Sequence, residues 1–288
     1  MNNYTIYTDS ACDLSPRFLE SCGVKFISLS FTFDGEETVY RENEMLSKDF
    51  YNLMREGSLV KTSAINSNKF ESAFEKELKC GKDVLYLGFS SGLSATQNNA
   101  RIAATDLMEK YPERKIIVVD TLSASAGFGL LVYFATEQKK KGATLEQVAQ
   151  YAEDKKLSIC HWFTVDNLVY LKRGGRISAA TALVGGLLGI KPILHVDDEG
   201  HLINITKVRG RKASVKALAD KYFELSIEHS GGTVFISHAD CLSDAEELAK
   251  IIKSENRKCD IKIMDIGAVI GAHAGPGTLA FFFVGKER

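Results

Sequence analysis

The segment Gly88 to Thr96 carries four hydroxyl side chains, Ser90, Ser91, Ser94 and Thr96, together with two glycines. It follows the apolar run Asp83 to Leu87 and opens a helical pattern in which Ala100, Ala103, Ala104, Leu107, Met108 and Tyr111 share one face. A strand therefore delivers hydroxyls to a helix start, where free backbone N–H groups and the positive end of the helix dipole favour an anion. The same letters contain G-x-S-x-G, with Ser90 where a hydrolase carries its nucleophile. On this segment alone, holding a carboxylate or phosphate and attacking an ester are both open.

A second hydroxyl pair, Thr62 and Ser63, precedes a helix whose cap is Asn66 or Ser67. Taken singly they are helix-entry residues; converging with the 90–96 segment at one sheet edge, they would grip an anion without an arginine. Asp9-Ser10 and Asp120-Thr121 each follow a strand, and either line the same crevice or form turns that organise loops. Leu171 to Ser178 is a basic, glycine-containing loop suited to a phosphate or a partner protein. Lys207 to Lys212 is a second basic cluster, either a solvated face or a contact for an acidic partner or nucleotide. Between them, Ile177 to Ile190 has no charge and spaces Ala180, Leu183, Val184, Leu187 and Leu188 helically. That pattern suits a buried core helix or one wall of an apolar tunnel. His273 lies among Ile270, Gly271, Ala272, Ala274 and Gly275. It is either a hydrogen-bonded core residue or a polar anchor that its small neighbours let a ligand approach.

The elements that must position these groups fall into two sets. Strand-like runs at Tyr4 to Thr8, Val24 to Phe33, Asp83 to Gly88 and Lys115 to Asp120 alternate with helical patterns from Pro16 to Ala152. Ser15-Pro16 reads as N-cap and first helical residue, and Thr144 with Gln147 as a capping box. From Ile159 onward, strand candidates cluster at Ile159 to Val165, Lys191 to Val196, Leu202 to Val208, Thr233 to His238, Ile261 to Ile266 and Leu279 to Val284. Helices are predicted at Ser178 to Leu188, Lys212 to Glu228 and Ser243 to Lys253, and Asp197 to Gly200 reads as a hairpin turn. The expected fold is α/β in two domains. Residues 1–158 form a three-layer α/β/α domain with a mainly parallel sheet that carries the hydroxyl loops, and residues 159–288 an α/β domain with a mixed sheet.

Composition narrows the function classes. A net charge of -1, with 25% charged residues, gives no reason to propose general nucleic-acid or membrane-surface binding. Six scattered cysteines without C-x-x-C or zinc-ligand spacing read as reduced thiols of a cytoplasmic protein, with no metal. The start of the chain lacks the pattern of a secretory signal. The uncharged run Ile266 to Gly285 contains Gly275-Pro276-Gly277, which would interrupt a spanning helix, so two short buried elements around a turn are expected there.

YTIYTDS at 4 to 10, KTSAIN at 61 to 66, SSGLSAT at 90 to 96, LKRGGRIS at 171 to 178 and IGAHAGPG at 270 to 277 together resemble the DegV family. In particular they resemble its fatty-acid-binding (FakB-like) subunits of bacterial fatty acid kinase. The resemblance implies a non-catalytic protein that encloses one long-chain fatty acid and presents its carboxylate to a FakA-like kinase, which brings ATP and magnesium. The product would be an acyl phosphate for phospholipid synthesis. By position, Thr62, Ser94 and His273 would meet the carboxylate, supported by Ser63, Ser91 and Thr96. Leu183, Leu187, Leu188 and Ile270 would line the acyl tunnel, and Arg173 and Arg209 would serve kinase contact or phosphoryl transfer. No cofactor on this chain, no nucleic acid, at most peripheral membrane contact and a monomer are expected. Ala95 departs from the glycine common in the family's SSGLSGT form. The competing expectations are a serine esterase using Ser90 and a sugar-phosphate site.

Overall fold

The computed structural model describes residues 3–178 and 189–288. Its first half runs β1 (Tyr4–Asp9), α1 (Pro16–Ser21), β2 (Val24–Ile27), β3 (Ser30–Phe33), β4 (Tyr40–Arg41), α2 (Ser47–Arg55), β5 (Val60–Ser63), α3 (Ser67–Lys79), β6 (Asp83–Gly88), α4 (Thr96–Lys110), β7 (Ile116–Asp120), α5 (Ser125–Lys140) and α6 (Leu145–Lys155). Strands β2, β1, β6 and β7 lie in that order in a parallel sheet, so their carboxyl ends share one edge. The helix starts follow the sequence. Ser15 Oγ accepts the Phe18 N–H, Asn66 Oδ1 accepts the Lys69 N–H, and Thr144 with Gln147 closes a capping box.

Two expectations are corrected here. The run Val24 to Phe33 is not one strand: β2 joins the parallel sheet, whereas β3 pairs with β4 and β5 in a separate three-stranded antiparallel sheet. The chain leaves the first sheet at Ser28-Leu29, where Ser28 Oγ accepts the Glu42 N–H and Ser10 Oγ accepts the Leu29 N–H, bonds that replace ladder partners. On α4, Ala100, Ala103, Ala104 and Leu107 are buried as the periodicity requires, but Met108 faces solvent.

The second half runs β8 (Ile159–Thr164), α7 (Val169–Arg173), β9 (Ile190–Val196), β10 (Leu202–Arg209), α8 (Arg211–Leu225), β11 (Thr233–His238), α9 (Leu242–Glu255), β12 (Asp260–Asp265), α10 (Ala268–Ala274) and β13 (Leu279–Val284). Six strands make a mixed sheet in the order β10-β9-β8-β13-β11-β12. Strand alternation gives this sheet two faces. Trp162, Phe281, Phe283 and Ile236 pack with Leu218 and Tyr222 of α8 and Leu248 and Ile252 of α9. Phe163, Leu194, Ala280 and Phe282 turn instead toward the first half and join its core. Helix α5, buried without a break from Ser125 to Val132, packs on β8, β11 and β13 and forms the seam between the halves. The uncharged run near the end folds as α10 and β13 around the Gly-Pro-Gly turn. No helix among the described residues is long and apolar enough to cross a membrane.

Candidate functional site

The strand ends hold the hydroxyl segment rigidly. Asp9, the last residue of β1, accepts the Phe89 N–H at 3.0 Å and the Tyr86 hydroxyl at 2.6 Å through Oδ2, and the Ala11 N–H through Oδ1. Asp120, the last residue of β7, accepts the Ser91 and Leu122 N–H groups at 3.2 and 3.1 Å. The Ser90 N–H donates to Ser123 O, and the Ser94 N–H folds back onto Ser90 O. Asp9 and Asp120 are thus loop organisers whose carboxylates are occupied by backbone amides. Even so, burial pushes the Asp9 carboxyl up to about 6, against the opposing effect of those hydrogen bonds.

The second hydroxyl pair arrives on β5. Thr96 Oγ1 accepts the Ile65 N–H at 3.3 Å and pairs with Ser94 Oγ at 2.9 Å, while the Asn99 amide donates to Ile65 O at 2.8 Å. These bonds tie the end of β5 to the start of α4, which brings Thr62 and Ser63 onto the same wall as Ser94. His273, on α10, completes the group with Nε2 at 2.7 Å from Thr62 Oγ1. Its Nδ1 is buried without a partner. A Cβ added to Gly174 would stand 2.1 Å from that Nδ1, so the glycine of the basic loop is what leaves room for the ring.

Burial, and secondarily the positive charge of Arg176, pushes the His273 imidazole down to about 4, so the ring is neutral near neutral pH. A buried unpaired N–H costs more than a buried unpaired lone pair, which favours the tautomer with the proton on Nε2. That ring then donates to Thr62 Oγ1 and leaves the threonine hydroxyl hydrogen free to donate onward.

These groups border one cavity of about 300 Å³ between the two halves. Thr62, Ser63, Ser94, His273 and Arg176 are among its polar lining, with Ser125, His161 and Thr278, and Ile270 also borders it. Most of the remaining lining is apolar, including Phe89, Leu93, Phe163, Val196, Leu202 and Phe282. Arg176 was quoted in the basic loop but not assigned a site. Its guanidinium donates to Leu93 O at 3.2 and 2.9 Å and to Gly174 O, and among the described residues no carboxylate pairs with it. A half-buried cation thus shares the cavity wall with the hydroxyls, a neighbour that the sequence reading of a hydroxyl grip did not include. The residue count between Gly174 and Arg176 held no cue to this; the fold around Leu93 turns the side chain inward.

The other expected residues separate. Thr96 is buried behind Ser94 and orients it, and Ser91 is exposed with its backbone on Asp120; neither borders the cavity. Arg173 lines a smaller cleft on the far side of His273, with its guanidinium over the Tyr170 ring, and Arg209 is exposed at the end of β10. Leu183, Leu187 and Leu188 lie outside the described residues. Ser90 is fully buried and its hydroxyl donates to Gly200 O at 2.9 Å. Its proton is committed to a carbonyl of the β9–β10 turn, which removes the nucleophile from the esterase reading. His161, on β8, was not foreseen either. It lies on the cavity wall with Nδ1 at 2.7 Å from Ile159 O and is held neutral by burial.

The family model described as "Uncharacterised protein, DegV family" matches residues 3–286. The chain belongs to the DegV family. A DegV domain-containing protein of Clostridium perfringens is 44% identical over 289 residues, covering 100% of this chain and 99% of that one. Among solved structures, a DegV lipid-binding protein from Thermotoga maritima superposes with a TM-score of 0.87 at 32% identity, covering 99% of both chains. A DegV family protein from Thermus thermophilus, described for its fatty acid binding, gives a TM-score of 0.89 at 29% identity, covering 98% of this chain and 99% of that one. The two-domain DegV architecture and its mixed second sheet therefore hold for this chain. Among its described residues, no group of three or more His, Cys, Asp or Glu side chains has an arrangement that could hold a metal ion.

Proposed function

We propose that this DegV protein binds one long-chain fatty acid in the cavity between its halves and presents the carboxylate to a partner ATP-dependent kinase. The observation that carries the reading is the amphipathic cavity, with hydroxyls, a neutral imidazole and a guanidinium at one part and apolar side chains over most of the rest. The lipid-binding and fatty-acid-binding relatives support the same ligand class. Burying each methylene stabilises by about 0.8 kcal/mol, so an acyl chain of roughly fourteen methylenes supplies on the order of 11 kcal/mol before ordering costs. Affinity comes from the chain, which leaves the head group to orientation.

In this reading Thr62 and Ser94 donate to the carboxylate, the former through the His273–Thr62 relay, and Arg176 supplies positive charge. Ser63 adds a hydroxyl; Ser91 and Thr96 act through the loop. Thr62 and Ser94 orient an oxygen as neutral donors, and Arg176, with N–H groups already donated to Leu93 O and Gly174 O, lends charge without the full bidentate ion pair that would oppose its attack. In the partner's reaction a carboxylate oxygen attacks the γ-phosphorus of ATP and the bond to ADP breaks, giving acyl phosphate for phospholipid synthesis. ATP and magnesium belong to the kinase, and this chain is non-catalytic and works in the cytoplasm as a monomer. Arg173 and Arg209, exposed and basic, are the contacts assigned to the kinase. Leu183, Leu187, Leu188 and Ile270 are assigned to the acyl tunnel, and residues 1–158 and 159–288 to the two domains.

Organic extraction of gently purified protein followed by mass spectrometry tests the ligand, with about one acyl chain per protein expected. Absence of any acyl chain, together with failure to take up added palmitate, overturns the reading. Addition of the FakA-like kinase and ATP should give acyl phosphate, and Arg209→Ala should reduce that yield while retaining palmitate. Parallel loss of both in Arg209→Ala would remove the kinase assignment.

A further inference from the structure

The cavity wall carried by α10 is held from the other half of the molecule by two acids. Asp13 Oδ1 accepts the Gly267 N–H at 3.0 Å, and Glu42 Oε1 accepts the Val269 N–H at 2.9 Å. Their remaining oxygens are engaged as well. Ser125 Oγ donates to Asp13 Oδ2 at 2.5 Å and Ser10 Oγ to Glu42 Oε2 at 3.4 Å. Both acids crowd one backbone position: a Cβ on Gly267 would stand 2.2 Å from Glu42 Oε1 and 3.0 Å from Asp13 Oδ1.

Acids surround the pair. Asp9 at the end of β1 and Asp265 at the end of β12 face it. Tyr51 of α2, whose hydroxyl donates to Ile266 O at 2.7 Å, and the thiol of Cys12 adjoin it, and Cys241 adjoins Tyr51. Behind Asp265 stands one base, His238 of β11, with Nε2 3.6 Å from Asp265 Oδ1, and burial pushes its imidazole down. Among the described residues, no lysine, arginine or histidine pairs with Asp13 or Glu42. Two buried carboxyls this close and without a counter-ion titrate as a pair, the second charge being strongly disfavoured.

We infer that Asp13 and Glu42 are positioning residues that together carry one proton in place of a second negative charge, and that in this state they cap α10 and set His273 against Thr62. The inference rests on the fatty-acid reading, since it is through His273, Val269 and Ile270 that α10 meets the ligand. Burial is the leading cause that pushes Asp13 up to about 7 and Glu42 up to about 8; nearby carboxylates, Asp13 itself in the case of Glu42, add to it. Because the folded values lie above the ordinary ones, the stabilisation is complete in acid and is lost as pH rises through the folded values. Removing the shared proton sets two negative charges against each other behind the head-group wall, and the wall loosens.

The experiment measures retention of radiolabelled palmitate from about pH 6 to about pH 9, the window set by the linkage relation, in the unmodified protein and in Glu42→Gln. The unmodified protein should lose affinity several-fold across that range, and Glu42→Gln should lack this component. Because palmitate titrates alike in both samples, the difference between the two profiles carries the result. A wild-type profile without the decline, or an equal decline in Glu42→Gln, overturns the inference. Infrared spectroscopy of the ligand-free protein gives a readout that needs no variant: a carboxylic-acid stretch should persist near neutral pH and vanish above about pH 8. Its absence at neutral pH overturns the shared proton even if Glu42→Gln fails to fold. If palmitate is retained at no pH, the fatty-acid reading fails by itself, and the infrared band still decides the state of the pair.

Discussion

The hydroxyl loop and α10 border the same cavity, yet they are secured in opposite ways. The loop's backbone amides enter carboxylates at the ends of parallel strands of its own half, which fixes its path, while Ser90 Oγ and Leu93 O add bonds to Gly200 and Arg176 of the other half. Helix α10 spans only Ala268–Ala274, begins at Gly267 without a side-chain cap of its own and ends at Gly275 with a φ of +84°. Its first turn depends on Asp13 and Glu42, which come from the other half of the molecule. Ser94 is therefore placed by bonds within its own half, whereas the helix that carries His273 draws two bonds at its start from the other half. On the proposed fatty-acid reading, the difference teaches that one part of the head-group wall is fixed within the first half and the other draws its bonds across the interface.

The largest expected effect breaks the part bonded across the interface. Gly174→Ala puts a methyl 2.1 Å from His273 Nδ1, and the ring must leave Thr62 to make room. Such overpacking costs about 1–3 kcal/mol, and at 1.4 kcal/mol per decade palmitate affinity should fall roughly tenfold or more. An equilibrium titration checks it. Unchanged affinity would mean that the imidazole is dispensable and that the fixed part suffices.

A smaller effect separates two serines of the fixed part. Ser94→Ala removes one proposed donor to the ligand, about 1 kcal/mol or roughly fivefold in affinity, and also lowers the melting temperature because the buried Thr96 hydroxyl and N–H lose their partner. Ser90→Ala should lower stability with little change in affinity, because it leaves the buried Gly200 carbonyl without its partner at a cost of about 1–3 kcal/mol. Calorimetry beside palmitate titration reads both. If Ser90→Ala lowers affinity as much as Ser94→Ala does, the loop is not the rigid half of the comparison.

The legibility of the sequence follows the same division. The parallel strands, their helix caps and the hydroxyl loop were readable because each rests on local chemistry: a run of apolar residues, a capping serine or asparagine, a glycine at a turn. Convergence of Thr62 and Ser63 with the 90–96 segment at one sheet edge could be raised from the residues, but the approach itself depends on Thr96 reaching the Ile65 amide, which no local pattern shows. Arg176 was hidden because a guanidinium in a basic loop looks the same whether it points to solvent or to Leu93 O. The break at Ser28-Leu29 was missed for a related reason. An apolar run shows that a segment is buried, but the partners that divide it, Ser10 and Glu42, come from elsewhere in the chain. Asp13 and Glu42 carried no local signal as a pair, being far apart in the sequence and brought together only by the fold of the first half.

The smallest effect concerns the charge on the part bonded across the interface. His273 is pushed down to about 4, first by burial and then by Arg176. A base with a lowered folded value stabilises the fold through its neutral form; that contribution is present above the ordinary 6.5 and declines as pH falls toward about 4. This slope is opposite in sign to the one expected from Asp13 and Glu42, so the two walls of the argument can be told apart in a single titration. Imidazole resonances followed by NMR should show His273 neutral at about pH 6, where an exposed histidine is largely protonated. In Arg176→Met the midpoint should move upward, because a neighbouring positive charge has been removed while burial remains. A His273 midpoint at the ordinary value would mean that the ring reaches water, and that the part of the wall bonded across the interface is open in the ligand-free protein.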